Sequence, residues 1–167
     1  MSRILKNRRL VEDDWRLIED GAPVCAGEKI IVPLRRWREE RSALLASAAA
    51  VGVLLPNTED VEALWPEIAD RPLIALQFPV FGDGRALSQA VILRRRLGFG
   101  GELRALGDIL RDQVFGLQRC GFDAIVPRAD QDLEDCLRAL AEFSVVYQPA
   151  ADGLETVWQK RRSATPA

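Results

Sequence analysis

Residues 73–98 read "LIALQFPVFGDGRALSQAVILRRRLG". Residues 73–78 are a short apolar run, broken only by Gln77, and read as a buried strand. Gly82-Asp83-Gly84 turns the chain. Arg85 opens a helix that runs to Leu97 and stops at Gly98, where glycine supplies the left-handed end. Strand, turn and helix make one βα unit, and the rest of the chain repeats the rhythm.

Further strands are expected at 29–33, 51–55, 102–107, 123–127 and 144–148, roughly 20–30 residues apart, with helical patterns between them. Val61, Leu64, Trp65 and Ile68 share one helix face, with Asn57 or Thr58 as N-cap and Pro66 expected to kink or break the helix. Asp108 is expected to cap a helix that buries Leu110, Val114 and Leu117 and stops at Gly121. Another starts near Asp130 and buries Leu133, Cys136, Leu137 and Leu140.

About six βα units imply an α/β protein with a parallel sheet. They are too few for a closed barrel of eight units and about 250 residues. Leu73, Ala75 and Gln77 share one strand face, while Ile74, Leu76 and Phe78 share the other. Arg104 and Leu106 lie together on a face of 102–107. A sheet covered on both sides is apolar on both faces. A small or polar face therefore favours helices on one side and a truncated TIM-barrel-like array, with an open doubly wound sheet as the alternative. Residues 1–28 read as an N-terminal hairpin or helix appendage, turning at Asn7-Arg8 and packing Trp15 onto the body. Residues 29–150 form the βα-repeat domain, and 151–167 a flexible C-terminal tail.

The composition narrows the chemistry. The chain has 167 residues and a net charge of −2, so no overall field draws it to nucleic acid or to an anionic membrane. The longest apolar run, 43–56, is too short to span a bilayer, and the N-terminus lacks an apolar signal segment, so a cytoplasmic location is expected. Histidine is absent, which removes histidine bases, histidine triads and histidine-ligated metals. Cys25, Cys120 and Cys136 are odd in number and widely spaced, without a redox or cluster motif. No cofactor and no metal are expected. Cys120 and Cys136 read as core, and Arg94–Arg95–Arg96 as a solvated surface or a docking patch for an acidic partner.

Ligands of parallel α/β folds sit beyond the carboxyl ends of the strands. The candidate residues there are Gln77, Asp83, Arg85, Asp108, Arg111 and Gln113, with Arg128 and Asp130 after the fifth strand. "GDGR" has two readings: an anion cradle of glycine backbone, helix N–H groups and the Arg85 fork, or a plain turn capped by Asp83. Arg104, inside a strand, is either one half of a structural ion pair with Asp83, Asp108 or Asp112, or a ligand for an oxyanion. "GFGG" at 98–101 follows a helix and reads as its stop.

Three stretches are more specific. "FPVFGDGRALSQA", "GELRALGDILRDQ" and "RCGFD", with "VEDDWRL" near the start and "FSVVYQP" near the end, resemble the bacterial domain-of-unknown-function 934 family. The resemblance covers nearly the whole chain. Gly82 and Leu87 depart from it, where a hydroxyl residue and an aromatic are common. The family has no established activity. Its members are often encoded beside the haemoprotein of assimilatory sulfite reduction and carry the label of oxidoreductases of that pathway. The resemblance thus implies an accessory protein that binds a small oxyanion or docks to the sulfite reductase haemoprotein, and it favours the site-rim reading of "GDGR". It adds Ser88 to the candidate binding residues. The alternative is a small-molecule enzyme with carboxylate acid–base chemistry and arginines that hold an anion. Open sheet edges would allow a homodimer. The purified protein is expected to be colourless; visible absorption that survives purification and is released as flavin on denaturation would contradict this.

Overall fold

A computed structural model describes residues 2–163. Met1 and residues 164–167, the last of the expected tail, lie outside them. The strands are β1 (Arg3–Lys6), β2 (Arg9–Glu12), β3 (Trp15–Leu17), β4 (Lys29–Pro33), β5 (Ala50–Leu55), β6 (Leu73–Phe78), β7 (Glu102–Gly107) and β8 (Ala124–Val126). The α-helices are α1 (Leu34–Ser47), α2 (Val61–Ile68), α3 (Arg85–Val91), α4 (Val114–Cys120), α5 (Leu133–Ala139) and α6 (Val157–Ser163). All eight strands form one sheet in the order β2-β1-β8-β7-β6-β5-β4-β3, curled into an open half-barrel.

From β3 to β8 the strands are parallel and neighbour one another in sequence order. The expectation of a wholly parallel sheet is corrected by the β1–β2 hairpin. It turns at Asn7 and Arg8, both at positive φ, and β1 lies antiparallel on β8 through Leu5↔Ile125 and Lys6↔Ala124. The expected strand at 144–148 is absent from the sheet; Val146 makes only an isolated bridge with Thr156. The edge of β8 goes instead to β1, whose Ile4 and Leu5 are each only 1% exposed, whereas Val145 and Tyr147 remain on the surface.

The helices cover one face, as the strand alternation implies. Ile74, Leu76 and Phe78 of β6 share one core with Trp37 of α1, Leu64 of α2, Ala90 of α3, Leu117 of α4 and Cys136 of α5. Burying such a Leu, Ile or Phe side chain stabilises by about 1.5–3 kcal/mol. The concave face carries a smaller cluster of Ile31, Leu73 and Ala75, flanked by Trp15, Leu54 and Leu106.

Several local expectations shift. Asp60, not Asn57 or Thr58, caps α2 by accepting from the Glu62 and Ala63 N–H groups, and the helix passes Pro66 to end at Ile68. The segment after Gly107 begins as a 3-10 turn at Arg111–Gln113 rather than a helix capped by Asp108. After Val91 the third helix widens into a π-turn at Ile92–Arg96. Gly98 and Gly121 stop their helices at φ 68° and 102°, as expected.

Gly107 fixes the height of the rim. Its φ is 122°, and a Cβ there would fall 2.1 Å from the Phe78 carbonyl oxygen, where Asp108 N–H donates across the strand ends at 2.8 Å. Gly107→Ala is expected to lower stability by about 1–3 kcal/mol or more through backbone strain, read as a reduced denaturation midpoint at an unchanged slope.

Candidate functional site at the carboxyl rim

The loops that leave β5, β6 and β7 are tied together by side chains. Residues 79–84 follow β6. Their Phe81 N–H donates to Asp108 Oδ2 at 2.9 Å, and the Phe81 carbonyl accepts from Gln113 Nε2 at 3.2 Å. Gln113 Oε1 also accepts from the Leu110 N–H at 3.0 Å, so one amide caps its own turn and clamps the neighbouring loop. Gln89 of α3 reaches the loop after β5, donating to the carbonyls of Pro56 and Glu59 at 3.0 and 2.8 Å. Its Oε1 has no hydrogen-bond partner among the described residues.

Asp83 and Arg85 pair with each other. Arg85 Nη2 lies 2.5 Å from Asp83 Oδ2, and Asp83 Oδ1 accepts the Arg85 backbone N–H at 3.2 Å. The Arg85 guanidinium holds the Asp83 carboxyl well below the usual carboxylate range. Asp108 is shared: its Oδ2 takes Phe81 N–H, and its Oδ1 takes Arg128 Nη1 at 2.8 Å. Arg128 also grips Asp130 at 2.7 and 2.8 Å, which brings the Asp130 carboxyl down to about 2. Gln77 is exposed at the end of β6 and borders a groove of about 330 Å³ with Pro33, Leu34, Arg35, Leu54 and Pro56.

The other candidates lie elsewhere. Ser88 borders a groove in the helix layer with Leu87, Val91 and Cys120. Arg111 turns to α5, pairing with Asp135 at 3.0 Å and Glu142 at 3.7 Å. Arg104 is 1% exposed and is committed toward the amino end of its strand. Its Nη1 lies 3.0 and 2.9 Å from the Asp13 carboxylate oxygens, its Nε and Nη2 lie 2.7 Å from Glu102 Oε1, and Lys6 approaches Glu102 at 2.6 Å. The expected partners Asp83, Asp108 and Asp112 do not pair with it. The candidates therefore divide into a rim of Gln77, Asp83, Arg85, Asp108 and Gln113 and a buried cluster around Arg104.

Phe81, the point both braces act on, belongs to the motif but was not among the candidate binding residues. Sequence reading placed Arg94 on a solvated surface. Arg94 instead donates to the carbonyls of Gly121, Phe99 and Gly101 and pairs with Asp123, which itself accepts the Leu103 N–H at 2.9 Å. The aspartate of "RCGFD" and the arginine of the triplet thus join the third helix to β7 and β8. Its arginine, Arg119, pairs with Asp152 at 2.6 Å.

The model of the family described as "Bacterial protein of unknown function (DUF934)" matches residues 52–158. The chain belongs to this family. No curated protein and no solved structure matches it. In this DUF934 chain the motif residues mostly bind one another. Burial pushes the Cys120 and Cys136 thiols up, the opposite of an activated nucleophile. Among the described residues no cluster of three or more histidine, cysteine or carboxylate side chains could hold a metal ion, and no helix is long and apolar enough to cross a membrane.

Arg104 tests how the buried cluster works. Arg104→Leu strands the Asp13 and Glu102 carboxylates and is expected to cost about 3–5 kcal/mol, with Arg104→Lys recovering part of it. Thermal unfolding should show the same loss with and without millimolar sulfite or phosphate. A loss that appears only in the presence of the anion would assign Arg104 to ligand binding instead.

Proposed function

We propose that the chain is an accessory protein of assimilatory sulfite reduction that docks on the sulfite reductase haemoprotein through residues 79–84. The family resemblance supplies the pathway, and the rim supplies the means. The observation that carries the reading is the presentation of Val80 and Phe81. They are 56% and 44% exposed, yet the Phe81 backbone is held at both its N–H and its carbonyl. An aromatic side chain displayed on a rigid backbone loses little further freedom on binding, which is how interface anchors gain affinity. The charged Asp83–Arg85 and Asp108–Arg128–Asp130 groups surround it as a polar border surrounds an interface core.

Oxyanion capture finds less support. Arg85, Arg104, Arg111 and Arg128 each already hold a carboxylate, so an anion would have to displace one. Phe143, Val145, Tyr147 and Trp158 form a second exposed apolar surface. Its chain from 144 to 156 lacks regular secondary structure apart from one bridge, and it serves as the control.

The test is co-elution and titration of the chain with the haemoprotein. Phe81→Ala is expected to weaken binding by about 2 kcal/mol, roughly thirtyfold, without changing the melting temperature, while Trp158→Ala leaves binding intact. Full affinity in Phe81→Ala would overturn docking through this loop. Failure of any complex to form, with sulfite, sulfate or phosphate raising the melting temperature, would establish the oxyanion reading in its place.

A further inference from the structure

A second site lies away from the rim. A cavity of about 420 Å³ opens beneath the β1–β2 turn, at the amino end of β8. Its size is that of a small-molecule pocket. Leu5, Phe122, Ile125 and Leu140 give it an apolar wall, and Lys6, Arg8, Arg94, Asp123 and Asp152 bring charges to it.

All but one of these charges are matched. Lys6 holds Glu102, Arg94 holds Asp123, and Arg119 holds Asp152. Arg8 is the exception. Its Nη1 donates to Gln118 Oε1 at 3.1 Å and its Nη2 to the Leu140 carbonyl at 2.7 Å, both neutral oxygens. It stands in none of the ion pairs formed among the described residues.

The backbone at Arg8 is also unusual. The two-residue turn puts Asn7 at φ 49° and Arg8 at φ 60°. Asparagine suits the first of these positions, and glycine is the standard residue at the second. A long side chain there is strained. Strain of this kind gathers at ligand clamps, where a particular side chain is needed at a particular point. Here the side chain carries the unmatched charge to the mouth of the cavity.

We propose that this cavity binds a small organic anion, with a carboxylate or phosphate on the Arg8 guanidinium and an apolar body against Leu5, Phe122, Ile125 and Leu140. Arg8 suits the role because its fork keeps donors for an anion after its two neutral bonds are made. The site is separate from the rim, so its success or failure leaves the Phe81→Ala binding comparison untouched, and Arg8→Asn tells anion stabilisation at this cavity from anion stabilisation at the rim.

The test uses ¹⁵N–¹H correlation spectra of the full chain titrated with benzoate, phenyl phosphate and the neutral isostere benzamide. The anions are expected to shift the amides of Asn7, Arg8, Gln118, Gly121 and Asp123 saturably, with at least tenfold tighter binding than benzamide. Comparing the two anions distinguishes a carboxylate from a phosphate ligand. Arg8→Asn, a residue the turn accepts, should reduce the anions to the affinity of benzamide and leave the spectrum unchanged except in the hairpin and around Gln118 and Leu140, whose bonds to Arg8 it removes. Equal binding of anions and benzamide, no saturable shifts at these amides, or full anion affinity in Arg8→Asn would each overturn the proposal. The anion-against-isostere comparison is made on the unsubstituted chain, so the proposal is tested even if the variant misfolds.

Discussion

The buried guanidinium of Arg104 is the interaction on which the concave side of the sheet depends. It binds Asp13, in the turn between β2 and β3, and Glu102, at the start of its own strand, while Lys6 of β1 completes the cluster. One side chain thus links the hairpin edge, the entry to β3 and the middle of the sheet. A charge in such a place is tolerated only when its donors are used, because the low dielectric that strengthens the pairs also penalises any group left alone.

The rim follows a different rule. Its ion pairs are exposed, and exposed pairs contribute little stability. Their work is positional. Asp108 holds Phe81 N–H with one oxygen and Arg128 with the other, so the loop after β6 is fixed from the start of the loop after β7. The glycines that resemble a phosphate cradle allow the turn, and the carboxylate that resembles a free cap is occupied by its own arginine. Stable charge and a defined loop shape are properties that an interface uses more readily than a reaction does.

Much of the architecture was legible where local sequence and burial agree. The bounds expected for β4, β6 and β7 coincide with those observed, because short apolar runs between turn residues allow little else. The one-sided helix cover was legible from alternation in β6. The place of β1 was not, since a run such as "SVVYQ" has the same local propensity as a true strand, and only competition for the edge of β8 decides between them. Arg94 was missed for a related reason: three consecutive arginines point in three directions, and the π-turn that directs one of them inward leaves no periodic mark. The pairing of Arg104 was readable in part. Glu102 is two residues away on the same strand face, but Asp13 lies far off in sequence and nothing local selects it over Asp83, Asp108 or Asp112.

The seating of β1 against β8 has a consequence for synthesis. The first of the eight strands in chain order pairs with the last. Until β8 emerges, the hairpin has no neighbour on one side, and Asp13 waits for an arginine that has yet to be made. The sequential βα units can assemble as they appear, but closing the sheet is a long-range event, the kind that slows folding and leaves strand edges open to other chains. The edge of the growing sheet that β1 finally covers therefore stays open until β8 has been made.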